Sequence, residues 1–248
     1  MTLSDFFVNY PKVAVAFSGG VDSAYLLYVA RQYCSEVRAY FFKTQFQPQF
    51  ELNDAIRLAK ELDVQLQIVE SDVLSTDIAI INPPDRCHHC KRMTFQAIWQ
   101  VAANDGFSVV IDGTNASDNP EERPGMRALA EFSVLSPLRE CGLTKAEIRK
   151  LSKEAGLFTW DKPAYACLAS RVPFGESITK EKLKATEAAE DFLFSLGFKN
   201  FRVRRCGEAA KIEVTAEQIE KVIENRAVIL SELKKYYVNV MLDLKVRE

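Results

Sequence analysis

The chain carries almost no net charge. Its 32 Lys and Arg stand against 34 Asp and Glu, a net charge of −2 at pH 7. The global basic footprint of a nucleic-acid binder is therefore missing. No apolar run reaches the roughly 18 residues that mark a membrane-spanning helix. Met1-Thr2-Leu3-Ser4-Asp5 has no basic stretch followed by an apolar one, so no secretory signal is read and a cytoplasmic protein is expected. Internal repeats and low-complexity tracts are absent, which excludes solenoids and compositionally biased linkers. Histidine is reduced to His88 and His89, side by side. The six cysteines are not read as a disulfide framework in a cytosolic chain of this size; most are expected to be reduced, some to bind metal.

What is present is an ordinary globular composition, 48% hydrophobic and 27% charged over 248 residues, enough for one large domain or two smaller ones. Strand and helix patterns alternate through the first two-thirds. Strands are expected at 13–17, 36–42, 64–69 and 108–112, and helices at 21–32, 51–62, 92–104 and 144–155. This order predicts the α/β class, with a doubly wound parallel sheet. Ligands then bind outside the carboxyl ends of the strands. Residues 161–176 carry prolines and no period, and read as an ordered loop. A helix at 179–196, strands at 201–205 and 210–214, a helix at 216–235 and a strand at 238–244 make a smaller α+β domain. The expected division is 1–165 for nucleotide binding and 166–248 for substrate binding.

The most informative run is Ser18-Gly19-Gly20-Val21-Asp22-Ser23, between the first strand and the first helix of that series. A helix N-terminus presents unpaired N–H groups and a partial positive charge to an anion. Gly19 and Gly20 let the backbone approach a phosphate, and Ser18 and Ser23 supply hydroxyls. The Walker lysine is absent, and an aspartate, Asp22, stands in the run. A second loop, Asp112-Gly113-Thr114-Asn115-Ala116-Ser117-Asp118, follows the 108–112 strand. Gly113 permits a tight turn, Thr114 and Asn115 add short polar side chains, and Asp118 is the candidate Mg²⁺ ligand. Arg123 and Lys43 are candidate phosphate clamps. Lys145, after a candidate N-cap Thr144, points either at the phosphates or at solvent.

Asp85-Arg86-Cys87-His88-His89-Cys90-Lys91 holds a CxxC, and Cys167 lies in the irregular loop. Four readings stand open. They are a [4Fe–4S] cluster on Cys87, Cys90 and Cys167; a structural zinc with His88 or His89 as fourth ligand; a redox CxxC, disfavoured because such motifs open a helix in a different fold; and three unrelated thiols. Cys34, Cys141 and Cys206 receive no role.

The first loop resembles the SGGxDS pyrophosphate loop of the PP-loop ATP pyrophosphatases, which split ATP between the α- and β-phosphates. A narrower resemblance rests on residues 18–23 and 112–118, Arg123-Pro124-Gly125, Pro137-Leu138, Gly142-Leu143-Thr144-Lys145, the segment Lys162-Pro163-Ala164-Tyr165-Ala166-Cys167-Leu168-Ala169-Ser170-Arg171, and Arg202-Val203-Arg204. Over nearly its whole length the chain resembles the LarE-type sulfur transferases of nickel-pincer nucleotide biosynthesis, which serve lactate racemase maturation. The resemblance implies adenylation by ATP of a carboxylate of a pyridinium-3,5-biscarboxylic acid mononucleotide, then displacement of AMP by sulfur. Some members sacrifice the sulfur of the cysteine matching Cys167. Others bind a [4Fe–4S] cluster on three cysteines, and this chain, with Cys87, Cys90 and Cys167, looks like them. Arg202 and Arg204, two apart on one strand face, are implied to hold the substrate phosphate with Ser170 nearby, and Glu190 matches a position in the family's active site. Without the resemblance, both arginines and Glu190 read as solvent-facing. A sulfide donor, a downstream nickel-insertion protein and a homo-oligomer are the implied partners. The competing classes are a tRNA thiolation enzyme, for which a basic surface is lacking, a non-catalytic nucleotide-binding regulator, and an amidotransferase, for which no glutaminase module fits.

Overall fold

The structure is a computed structural model and describes residues 1–121 and 124–247. Its elements are, in order, α1 (Leu3–Asn9), β1 (Lys12–Ala16), α2 (Val21–Tyr33), β2 (Glu36–Lys43), α3 (Gln49–Glu61), β3 (Gln65–Glu70), α4 (Asp77–Ile81), α5 (Arg86–Asn104), β4 (Val110–Asp112), α6 (Arg127–Glu131), α7 (Pro137–Glu140) and α8 (Lys145–Glu154). Then follow α9 (Lys180–Ser195), β5 (Arg202–Cys206), β6 (Ala209–Glu213), α10 (Ile219–Glu224), α11 (Arg226–Leu233) and β7 (Asn239–Leu242), with single turns of 3₁₀ helix at Pro124–Met126, Leu168–Arg171 and Ala216–Gln218. No described helix is long and apolar enough to cross a membrane.

The chain forms two compact units. The first comprises Met1–Thr44, Gln49–Ser71 and Asp85–Lys162, and the second Gln45–Pro48, Asp72–Pro84 and Pro163–Glu248. The division therefore falls after Lys162, and two short segments from the first third of the chain belong with the C-terminal unit. Contacts distant in sequence hold those segments there, and a sequence pattern does not show them. Leu168 N–H donates to the Phe46 carbonyl at 2.8 Å, and Asn82 Nδ2 donates to the carbonyls of Pro173 and Glu176 at 2.7 and 3.0 Å.

In the first unit all strands are parallel, in the order β3-β2-β1-β4. Both faces are covered, as a parallel sheet requires. Val13, Val15, Ala39, Phe41 and Ile111 pack on one face with residues of α1, α2 and α3. Ala14, Tyr40, Phe42 and Val110 pack on the other with Phe95, Ile98 and Ala102 of α5. The register sets Ala16 opposite Asp112 and Tyr40, and Lys43 opposite Glu70, so the strands' carboxyl ends share one edge.

The second unit pairs β5 antiparallel to β6 and β6 parallel to β7, over a core that includes Leu193, Phe198, Phe201, Val203, Ile212 and Leu233. The helix expected over 216–235 is broken at Asn225, where α10 ends and α11 begins. α1 was not expected, although its Thr2–Asp5 capping box is a readable start signal.

Candidate functional site

The 18–23 loop leaves β1 and enters α2 with Gly20 as N-cap. Gly19 has φ +72°, and a Cβ there would lie 3.1 Å from the Glu51 carbonyl oxygen, so the residue is fixed by backbone conformation and by space. The two serine hydroxyls make hydrogen bonds within the loop. Ser23 Oγ donates to the Gly20 carbonyl at 3.1 Å, accepts from Ser18 N–H at 3.3 Å and lies 3.1 Å from Ser18 Oγ. They shape the turn that presents the helix N-terminus.

The 112–118 loop is locked against this turn. A Cβ on Gly113 would stand 2.8 Å from the Ser23 backbone nitrogen and 3.0 Å from its Cα. Asp112, buried, takes Ser136 Oγ at 2.7 Å and Thr114 Oγ1 at 2.6 Å. Asp118, also buried, accepts the Asn115 N–H at 3.0 Å, and its carbonyl accepts Arg139 at 2.7 Å. Asn115 in turn accepts Ser117 N–H at 2.9 Å. Gly113→Ala is expected to force the two loops apart, costing about 1–3 kcal/mol of stability and raising the KM for ATP. Unchanged chemical denaturation and an unchanged KM would contradict the close approach.

Charge around the loop is paired. Lys145 Nζ sits 2.6 Å from Asp22 Oδ2, so its side chain is directed at the loop's aspartate. Lys162 Nζ, mostly buried, lies 2.6 Å from Asp54 and 3.3 Å from the Gly19 carbonyl. Neither partner of this second pair was foreseen as a site residue; the contact closes across 108 residues. Lys43 ends β2 at the same sheet edge. Arg123 lies outside the described residues.

Cys87 and Cys90 lie in the first two turns of α5, which begins at Arg86, six residues earlier than its apolar period suggests. The CxxC thus opens a helix, as a redox CxxC does, but in the parallel-sheet fold on which the redox reading is disfavoured. Cys87 is exposed and Cys90 half-buried. Both histidines face carboxylates: His88 Nε2 is 3.1 Å from Glu131 and His89 Nε2 is 3.2 Å from Asp85. Burial pushes the Cys34 thiol up to about 12 and raises that of Cys141, which disfavours their thiolates. Among the described residues no three Cys, His, Asp or Glu side chains are gathered to hold a metal ion. Cys87 and Cys90 belong to the first unit and Cys167 to the second.

In the second unit Cys167, half-buried, caps the 3₁₀ turn Leu168–Arg171. The residues expected to hold substrate surround it differently than foreseen. Glu190 is 1% exposed and accepts four hydrogen bonds: Arg171 Nε at 2.8 Å, Arg171 Nη2 at 3.1 Å, Val203 N–H at 2.9 Å, and the Tyr165 hydroxyl. Its solvent-facing reading is therefore overturned; an i,i+3/i+4 pattern does not reveal a carboxylate whose partner lies nineteen residues away. Arg202, also buried, donates to the carbonyls of Phe201 and Ala164. Burial lowers its guanidinium to about 10, with the charges of Arg171 and Arg247 adding, so it remains protonated at neutral pH. Arg204 holds Glu213 at 2.9 Å and donates to the Ser170 carbonyl at 2.6 Å. The two arginines, on one face of β5, thus grip the cysteine loop on either side of Cys167. Burial, and then the charge of Glu190, raises the Tyr165 phenol.

Residues 12–80 match the family described as "Queuosine biosynthesis protein QueC". The chain is 36% identical over 250 residues to an uncharacterized Synechocystis protein, covering 98% of this chain and 92% of that one. It is 29% identical over 189 residues to the tRNA-specific 2-thiouridylase MnmA of Thermotoga maritima, over 59% of this chain and 52% of that one. To the pyridinium-3,5-bisthiocarboxylic acid mononucleotide synthase of Lactiplantibacillus plantarum it is 35% identical over 210 residues, covering 84% of this chain and 76% of that protein. With the PP-loop, the parallel sheet and the braced cysteine loop in place, the chain belongs to the family of that synthase, the LarE-type sulfur transferases, and is an ATP-using sulfur-transferring enzyme.

Proposed function

We propose that this enzyme converts a carboxylate of pyridinium-3,5-biscarboxylic acid mononucleotide to a thiocarboxylate in nickel-pincer nucleotide biosynthesis. The observation that carries the reading is the pinning of the Gly113 loop on the first turn of α2, which builds one anion-binding cradle from two loops. A carboxylate oxygen attacks the α-phosphorus of ATP, the bond to the β-phosphate oxygen breaks, and pyrophosphate leaves. The cradle's backbone N–H groups hold the departing pyrophosphate. Mg²⁺ takes hard oxygen ligands, and the carboxylate of Asp118 has that chemistry; Lys43 and Arg123 are the remaining candidates for the phosphates. Sulfur then attacks the acyl carbon and AMP leaves. Ser170, Arg202, Arg204 and Glu190 are assigned to the mononucleotide's side of the reaction, the arginines supplying the charge that a phosphate matches.

Cys87, Cys90 and Cys167 are proposed as ligands of a [4Fe–4S] cluster. The donor set has the right chemistry: Cys87, exposed, and Cys90, half-buried, are about one helical turn apart, and the half-buried Cys167 is a third thiol. When bound by three cysteines, such a cluster keeps one iron free to carry hydrosulfide. In a second reading Cys167 gives up its own sulfur. Anaerobic purification with iron and acid-labile sulfide analysis decides between them. Iron and sulfide with visible absorption are expected. A colourless protein whose mass falls by one H₂S after a single turnover would establish the sacrificial route instead.

A further inference from the structure

We propose that Arg171 is the positioning residue for sulfur transfer, acting through the backbone of Cys167. Its side chain is fully buried, yet it carries a charge on a four-residue turn. One edge of the guanidinium, Nε and Nη2, meets both oxygens of Glu190 on α9. The remaining nitrogen, Nη1, points the opposite way, to the carbonyls of Ala166 at 2.8 Å and Cys167 at 3.3 Å and to Ser170 Oγ at 2.7 Å. Ser170 Oγ in turn donates to the Cys167 carbonyl at 2.8 Å. Glu190 is itself fixed by Val203 N–H on β5. The guanidinium therefore ties the peptide on both sides of the cysteine's Cα to a helix and a strand of the same unit.

The arrangement uses the planar fork of arginine, which a lysine ammonium does not reproduce. Tyr165 completes it. Its ring lies 4.5 Å from the Arg171 guanidinium and 4.9 Å from that of Arg202, and its hydroxyl bonds Glu190. A loop bearing a reactive thiol otherwise samples many directions. This anchor leaves Cys167 its side-chain rotation alone. That economy serves a thiol used as ligand and one used as donor equally. The inference rests on the reading of Cys167 as the sulfur-handling residue.

The test separates the sulfur step from adenylation in the full-length protein. Arg171→Gln is expected to slow single-turnover sulfur transfer by about tenfold or more, as a misplaced reacting group does. Pyrophosphate release at saturating mononucleotide stays within about twofold. Loss of fold alone lowers both steps by the same factor, so equal losses would overturn the proposal, as would unchanged sulfur transfer. Tyr165→Phe keeps the ring and drops one bond to Glu190. It is expected to slow the same step by a few-fold if Arg171→Gln does not fold, and an unchanged sulfur step in that variant would overturn the proposal. Alkylation of Cys167 in the apo-protein, followed by peptide mass, reads the geometry independently of any activity. A change of about fivefold in its rate in Arg171→Gln, with the exposed Cys206 unaffected, is expected; no change would overturn the anchoring role. Absence of sulfur transfer in the wild type, together with the expected alkylation change, would instead count against the proposed function alone.

Discussion

Cys167→Ala is expected to abolish sulfur transfer while pyrophosphate release continues. The half-reactions use different parts of the chain. In the proposed reaction activation falls to the 18–23 and 112–118 loops, whose shape is set by Ser23, Gly113 and Asp112 within the first unit. In the proposed reaction sulfur handling falls to Cys167, on the 3₁₀ turn of the second. Its half-buried position gives an alanine little packing to lose. Acyl-adenylate is then formed without a sulfur nucleophile and hydrolyses slowly. The expected record is pyrophosphate in the presence of the mononucleotide and no thiocarboxylate. Loss of both activities would make Cys167 a structural residue.

Glu190→Ala is expected to cost about 3–5 kcal/mol, the penalty for breaking a buried ion pair and stranding its partner. The stranded partner is the guanidinium of Arg171, with no exposed side-chain surface. Three further groups lose their acceptor or orientation at once: the Val203 N–H, the Tyr165 hydroxyl and the loop carbonyls held through Arg171. Against a total stability of about 5–15 kcal/mol for a typical domain, this is a large share. Glu190→Gln retains shape and one acceptor oxygen and is expected to lose less. Chemical denaturation followed by tryptophan-independent circular dichroism measures both, and a loss under about 1 kcal/mol for Glu190→Ala would show the pair to be solvated.

How much of this could be read in the chain follows from the range of each interaction. The PP-loop was legible because strand, glycine turn and helix are contiguous, and the sheet because a strand buried on both faces, such as Val13-Ala14-Val15, is an apolar run. The start of α5 was not legible. Arg86 and His88 are buried polar residues there, and the apolar period that marks a helix begins only further on. The anchor of Cys167 was hidden for a related reason. Glu190 and Arg171 each follow the pattern of an exposed charge, and only the tertiary fold shows that they pair. The same holds for Lys162 and Asp54, and for the attachment of Asn82 to the 173–176 stretch.

The central claim is that ATP is split to activate a small-molecule carboxylate for sulfur. Pyrophosphate release by the purified enzyme, assayed with ATP and Mg²⁺ and with either the biscarboxylic mononucleotide or tRNA added, tests it most directly. Release that requires the mononucleotide and ignores tRNA is predicted. Release that requires tRNA, or none with either substrate, would contradict the account.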